Sequence, residues 1–133
     1  MTRLKTALTP VTILLALGTA LATVATHWGA VPARDHARAN PLAGNPEATE
    51  AGALVYRSHC QQCHGADAQG DGQKKPSLRT DAVRSATDGD LEWFLRQGDL
   101  RHGMPSWSSL PQAQRWEIID YLRSLPQAGP SGI

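Results

Sequence analysis

Cysteine and large aromatic side chains are scarce in this sequence of 133 residues. It has two cysteines, one Phe, two Tyr and four Trp. The cysteines, Cys60 and Cys63, lie so close together that a disulfide between them would close only a short loop and add little stability. Because a small core with few aromatic residues is marginally stable by itself, the composition favours a large buried cofactor as an additional source of stability.

The sequence also lacks an excess of charge of either sign. Its formal net charge is +1 at pH 7, from 13 Lys and Arg against 12 Asp and Glu. A protein with so weak a field is not expected to bind the phosphate backbone of DNA or RNA. We therefore predict no nucleic-acid partner.

Charged residues are absent from Thr6 to Ala33, and Arg3 and Lys5 precede this run. Basic residues before an apolar stretch stay on the cytoplasmic side, so the rest of the chain is expected to be exported. Residues 1–31 are predicted to be an N-terminal signal or membrane anchor. Three alternatives remain open: cleavage after a small residue such as Ala22 or Ala25, an uncleaved single helix, which the length of the run slightly favours, and a buried helix of a soluble protein.

The remaining chain divides into three parts. Residues 32–45 are rich in Ala, Pro, Arg and Asn without apolar periodicity, and are predicted to form a flexible linker. Residues 46–125 are predicted to form the globular domain. Residues 126–133, with two Pro and two Gly, are predicted to be a disordered tail.

Three helices are predicted within the domain, and no strand. Asn45 can cap the first helix, with Pro46 at its first position. Thr87 and Asp90 resemble a capping box that opens the second. The third begins near Pro111 and has an apolar face. The sequence therefore predicts an all-α fold with three to four helices.

The sequence Cys60-Gln61-Gln62-Cys63-His64 has the spacing of covalent c-type haem attachment. Two thiols so spaced can reach the two vinyl groups on one edge of a porphyrin, and the following imidazole can bind its iron. Thioredoxin-like dithiols share the spacing of Cys60 and Cys63, but no βαβ pattern surrounds the motif here. A zinc site would need a second pair of ligands, which the sequence does not provide.

Met104 is the predicted second axial ligand. Apart from the initiator it is the only methionine, and it lies between Gly103 and Pro105 in a loop between two predicted helices. Histidine and methionine together form a known axial pair that raises the reduction potential of haem. Three alternatives remain open: Met104 as a core filler, His102 as the ligand of a bis-histidine site, and His59 as a ligand.

Four segments together resemble the monohaem class I cytochrome c family, in particular the bacterial domains found in oxidase and dehydrogenase subunits. The resemblance extends from about residue 48 to residue 125. It rests on Cys60–Gly65, Pro76–Leu78, Gly103–Pro105 and Trp116–Leu122.

This resemblance implies a small cytochrome c fold in which the first and last helices cross beside the cofactor. It implies one covalent haem c attached to Cys60 and Cys63, with His64 and Met104 as axial ligands. It also implies a hydrogen bond from the imidazole of His64 to the carbonyl of Pro76. Arg79, as a partner of a haem propionate, is left open.

With both axial positions filled by protein, the chain is expected to carry single electrons on the periplasmic side of the membrane and not to act as an enzyme. Expected partners are redox proteins: a dehydrogenase, a quinol-oxidising complex or a terminal oxidase. Two further possibilities are an electron-transfer subunit of a membrane dehydrogenase or oxidase complex, and a haem enzyme or gas sensor with an open iron face.

Overall fold

The computed structural model describes residues 23–26 and 29–126, and this part of the chain is mostly helical. Its elements in chain order are strands β1 (Thr23–Thr26) and β2 (Gly29–Pro32), helices α1 (Ala33–His36), α2 (Pro46–His59), α3 (Gln61–His64), α4 (Asp81–Ser85) and α5 (Asp88–Gln97), a 3-10 helix at Leu100–His102, and helix α6 (Gln112–Ser124). The mostly helical prediction is confirmed. Helices α1, α3 and α4 bring the number of helices in the described residues to six. The sequence did not predict these three, because elements of four or five residues are too short to show periodicity.

The predicted helix starts are present. The side chain of Asn45 accepts a hydrogen bond from the Ala48 amide, and Pro46 occupies the first turn of α2. At α5, the Thr87 hydroxyl accepts from the Asp90 amide while the Asp90 carboxylate accepts from the Thr87 amide. These bonds satisfy amides that would otherwise lack a partner at a helix start.

Helices α2 and α6 cross at very short distance. A β-carbon built on Gly52 of α2 would lie 2.0 Å from the carbonyl oxygen of Glu117 on α6. One turn along, the rings of Tyr56 and Tyr121 lie 5.2 Å apart. The apolar core lies beside this crossing and includes the buried residues Val83, Leu91, Leu95, Trp116, Ile118 and Ile119.

Residues 33–45, here called the N-terminal strap, are packed against the domain, so the prediction of a flexible linker over residues 32–45 is wrong for this segment. Asp35 is buried and accepts a hydrogen bond of 2.8 Å from Arg96 on α5. Asn40 is also buried and donates to the carbonyl of Trp116 on α6. Polar side chains hold the strap through partners that are far away in the sequence. The strap therefore has no apolar periodicity from which its packing could be predicted.

A buried charge cluster joins the strap to the domain. Glu92 on α5 is fully buried, and its carboxylate accepts hydrogen bonds of 2.9 Å from Arg38 of the strap and from Arg115 on α6. Arg96 lies 3.5 Å from the same carboxylate. The Arg38 guanidinium also lies 5.0 Å from the centre of the Trp116 ring. A buried carboxylate needs such partners, because desolvation of an unpaired charge is very costly.

The predicted signal or anchor, residues 1–31, falls largely outside the described residues. Its described part contributes to an antiparallel pair in which Thr23 is opposite Pro32 and Thr26 is opposite Gly29. The sequence did not predict these strands. No helix among the described residues has the length and apolar character to cross a membrane. Beyond Pro126, the predicted tail also lies outside the described residues.

We expect Gly52→Ala to destabilise the protein by about 3 kcal/mol, because the added methyl group overlaps the backbone of α6. Helix propensity alone gives the opposite sign, since Ala favours a helix over Gly by about 1 kcal/mol. Urea unfolding of the matured protein measures the difference. Ala53→Gly on the same helix is the control, with an expected loss of only about 1 kcal/mol. Stabilisation by Gly52→Ala would contradict the close crossing.

We expect Glu92→Gln to cost about 3 kcal/mol in stability, because it leaves the buried Arg115 without a negative partner. It should also free the strap and speed tryptic cleavage after Arg38. Unfolding midpoints and timed proteolysis measure the two effects. Glu50→Gln on the exposed side of α2 is the control, with little change in either. Equal cleavage rates in both variants would show that the cluster does not hold the strap.

Candidate functional site

The predicted attachment motif forms a tight turn at the end of α2. Cys60 follows the last residue of α2, and α3 then places His64 one turn further on, with the His64 amide 2.9 Å from the Cys60 carbonyl. Gly65 ends α3 with a φ of 83°, a conformation that favours glycine. Cys60 and Cys63 form no disulfide with each other, and Cys60 is buried whereas Cys63 is exposed. Burial, with a smaller contribution from Cys63, raises the pKa of Cys60 to about 11.

The turn opens onto a cavity of about 540 Å³, which is within the range of cofactor sites. Cys60, Cys63, His64 and Met104 all line it, so the structure brings the four predicted site residues together. Much of the rest of the wall is apolar and comes from α4, α5 and α6. Its apolar residues include Val83, Leu91, Phe94, Leu95, Ile118, Ile119 and Leu122.

The imidazole of His64 is held in one tautomer. Its Nδ1 atom lies 2.9 Å from the carbonyl oxygen of Pro76. Because a carbonyl can only accept a hydrogen bond, Nδ1 must carry the proton, and Nε2 keeps its lone pair for a metal. The hydrogen bond implied by the resemblance at Pro76 is therefore present.

Residues 65–78, here called the proximal loop, follow His64 and include Pro76. Hydrogen bonds within this segment and to His64 hold the loop closed. The amide of Gly70 donates to the carbonyl of His64 at 2.8 Å, and the amide of Leu78 donates to that of Ala68 at 2.8 Å. The hydroxyl of the fully buried Tyr56 donates to the Gly65 carbonyl at 2.7 Å. Tyr56 was not predicted as a site residue, since a buried helix position alone does not reveal a hydrogen bond nine residues away.

Met104 is fixed by backbone bonds between α5 and α6. The amides of Asp99 and Met104 each donate to the carbonyl of the other, at 2.8 and 2.9 Å. The amide of Trp107 donates to the carbonyl of Leu95 at 2.8 Å. Met104 is half-buried and packs against the apolar core. Its side chain is thus held at the cavity by a short, well-connected turn.

The two competing histidines also line the cavity, but each has another contact. The side chain of His102 is 82% exposed, and its Nδ1 atom lies 2.6 Å from the Asp99 carboxylate. That hydrogen bond is the main cause of a lowered pKa for Asp99. The ring of His59 lies edge-on to Trp107, 5.3 Å between centres. Neither is as well placed as Met104, which combines partial burial with a rigid turn.

Arg79, considered above as a propionate partner, lines a smaller neighbouring cavity of about 150 Å³. Its Nε atom donates to the Pro126 carbonyl at 2.6 Å. Two other basic side chains, Lys74 and Lys75, line the larger cavity from the proximal loop. They are exposed and lie on its solvent side.

The two thiols, the oriented imidazole and the thioether suit a metalloporphyrin better than a bare metal ion. Thiolate and thioether groups bind soft metals or haem iron, whereas the apolar wall and the volume suit a flat organic group. The residues present therefore fit haem c. Cys60 and Cys63 would hold it covalently, and His64 and Met104 are placed to serve its iron.

Comparison with known proteins agrees with this site. The family model described as cytochrome C oxidase, cbb3-type, subunit III matches residues 47–122. Among solved structures, the chain is similar to cytochrome CL from the marine methylotrophic bacterium Methylophaga aminisulfidivorans MPT, with a TM-score of 0.56 and 27% identity. The match covers 65% of this chain and 58% of that one, so the chain spans little more than half the length of cytochrome CL. The search of curated proteins found no match.

The family match extends over more than half of the chain and includes the whole attachment motif. The structural match shows independently that the helical fold is that of a cytochrome. The chain therefore belongs to the class I c-type cytochrome family, whose cofactor is haem c.

Proposed function

We propose that this protein is an electron-transfer cytochrome with one haem c. In the proposal, Cys60 and Cys63 bind the haem covalently, and His64 and Met104 are its axial ligands. The observation that carries it is the 2.9 Å hydrogen bond from His64 to Pro76, within a cavity that the two thiols and Met104 also line. This bond directs the basic Nε2 atom of the imidazole to a metal.

The protein's own residues have three tasks in this function. When bound, haem c supplies an iron that gains and loses one electron. If His64 and Met104 both bound the iron, no position would stay open for a substrate, which favours a carrier over an enzyme. The apolar wall, including Leu91, Leu95 and Ile119, excludes water from the cofactor. The fixed loops keep the ligands in place in both charge states of the iron.

We place this electron transfer on the periplasmic side of a bacterial cytoplasmic membrane. Arg3 and Lys5 before the uncharged run support export of the following chain. Residues 1–31 then act as a cleaved signal or as an anchor. The proposed partners are redox proteins: a dehydrogenase, a quinol-oxidising complex or a terminal oxidase.

A second candidate is a fixed electron-transfer subunit of a membrane dehydrogenase or oxidase. Two observations favour it: the matching family model is described as an oxidase subunit, and the N-terminal strap is packed where a free carrier on a tether would have a mobile linker. Mild detergent extraction of the full chain from its host membranes decides between the candidates. Co-purification with a stoichiometric redox enzyme supports the subunit, and isolation of the chain alone supports the carrier.

We expect the matured, exported protein to exceed its polypeptide mass by one haem, and the haem to remain bound in acidic acetone. Cys60→Ala together with Cys63→Ala should abolish both properties, because both thioether bonds are lost. Intact-mass spectrometry measures this. A bare polypeptide mass with two free thiols in the wild-type protein would refute the proposal.

We expect Met104→Ala to remove the weak far-red absorption band that a methionine sulfur gives with ferric haem. The reduced variant should bind carbon monoxide, because one axial position is opened, whereas the reduced wild type should not. His102→Ala is the control and should keep the band. If His102→Ala removed the band and Met104→Ala did not, the axial assignment would be wrong.

A further inference from the structure

We propose that Asp71, at the tip of the proximal loop, is a positioning residue for the proximal imidazole. Its carboxylate fixes the turn that presents the Pro76 carbonyl to His64. This inference rests on the proposed role of His64 as an axial ligand, and it assigns a task to a residue that does not itself line the cavity.

Asp71 binds the backbone of three successive residues. Its Oδ1 atom accepts hydrogen bonds from the amides of Gln73 and Lys74, both at 2.9 Å, and of Lys75 at 2.8 Å. Its own amide donates to the Lys75 carbonyl at 3.1 Å. Both backbone polar groups of Lys75 are thus bound by one residue. Because residues 71–76 are all exposed, apolar packing does not hold this turn.

The hydrogen bonds from Lys75 and Gln73 also lower the pKa of the Asp71 carboxyl. A lowered pKa means that the bonds favour the charged form. The carboxylate that binds the three amides is therefore the form present at neutral pH.

The backbone of Lys75 determines the position of Pro76, because the two residues share a peptide bond. The pyrrolidine ring fixes φ of Pro76. The orientation of the Lys75–Pro76 peptide therefore largely sets the position of the Pro76 carbonyl carbon. This peptide lies against Gly70: a β-carbon there would be 2.0 Å from the Lys75 oxygen and 2.9 Å from the Pro76 carbonyl carbon. Gly70 in turn donates its amide to the His64 carbonyl. The turn is therefore connected to the backbone of His64 through Gly70 and to the imidazole of His64 through Pro76.

The two ends of the Pro76 region depend on different groups. Downstream, the Leu78 amide and the Ser77 hydroxyl both bind the Ala68 carbonyl. Upstream, the bonds to Lys75 come from Asp71. Loss of the carboxylate would leave the downstream end in place but allow the Pro76 carbonyl to change its orientation. The bond to the His64 Nδ1 proton should then weaken.

A weaker bond at Nδ1 changes the electronic character of the ligand. A hydrogen bond accepted from Nδ1–H makes the imidazole more basic, which stabilises ferric over ferrous iron. Loss of the Asp71 carboxylate should therefore raise the reduction potential and open the Nδ1 proton to exchange with water. Removal of any nearby negative charge also raises the potential, so only the proton exchange isolates the positioning effect.

The test compares Asp71→Ala, Asp71→Asn and Asp67→Ala with the wild type, in the reduced, diamagnetic protein. NMR measures solvent exchange of the His64 Nδ1 proton, and a redox titration measures the potential. We expect exchange about tenfold faster in Asp71→Ala, equivalent to loss of roughly one net hydrogen bond. Asp71→Asn keeps a side-chain oxygen acceptor and should restore most of the protection.

Asp67→Ala is the matched control, because it removes the same charge from the same loop and, among the described residues, loses hydrogen bonds only to Gln69. It should raise the potential without faster exchange. Equal exchange rates in Asp71→Ala and the wild type, or equally fast exchange in Asp67→Ala, would overturn the inference. If His64 were not a ligand at all, the wild type itself would lack ring-current-shifted His64 signals, so the two failures are distinguishable.

Discussion

The hydrogen bond between His64 and Pro76 is the constraint on which the site depends. It fixes the tautomer of the imidazole, and it also fixes the relative positions of the turn after α2 and the far end of the proximal loop. Without it, the ring could rotate, while the loop would still be closed by other hydrogen bonds, such as that from the Gly70 amide to the His64 carbonyl. A single bond of 2.9 Å thereby links local chain geometry to the chemistry of the proposed metal ligand.

Tyr56 connects the crossing of α2 and α6 to the turn at His64 by a hydrogen bond. Gly52 allows α2 to approach α6 closely, and Tyr56 is fully buried at the same interface. A buried phenol needs a hydrogen-bond partner, which it finds in the carbonyl of Gly65, the residue after His64. Burial also raises the pKa of Tyr56, so the hydroxyl keeps its proton and remains a donor. The packing of two helices thus determines where the turn with the proposed ligand His64 lies.

The features that could be predicted from the sequence are those whose chemistry demands a particular local spacing of residues. The attachment motif at Cys60, the caps at Asn45 and Thr87, and the Gly-Met-Pro turn around Met104 all depend on neighbours within a few residues. The N-terminal strap could not be found in this way, because Arg38 meets Glu92, its partner, 54 positions away. Neither propensity nor apolar periodicity records such a pair. The short helices were missed because four or five residues are too few to show a periodicity.

The two segments that carry the proposed ligands are stabilised differently from the core, and this difference suits the proposed electron carrier. The segments around His64 and Met104 lie partly in solvent, and the turn at Met104 is closed by paired backbone bonds with Asp99. Hydrogen bonds are directional, whereas apolar contacts allow small shifts. Ligands held by directional bonds on a rigid helical base should keep their geometry when the charge of the iron changes. A site of this kind would need little rearrangement for each electron, which supports the proposed role in electron transfer.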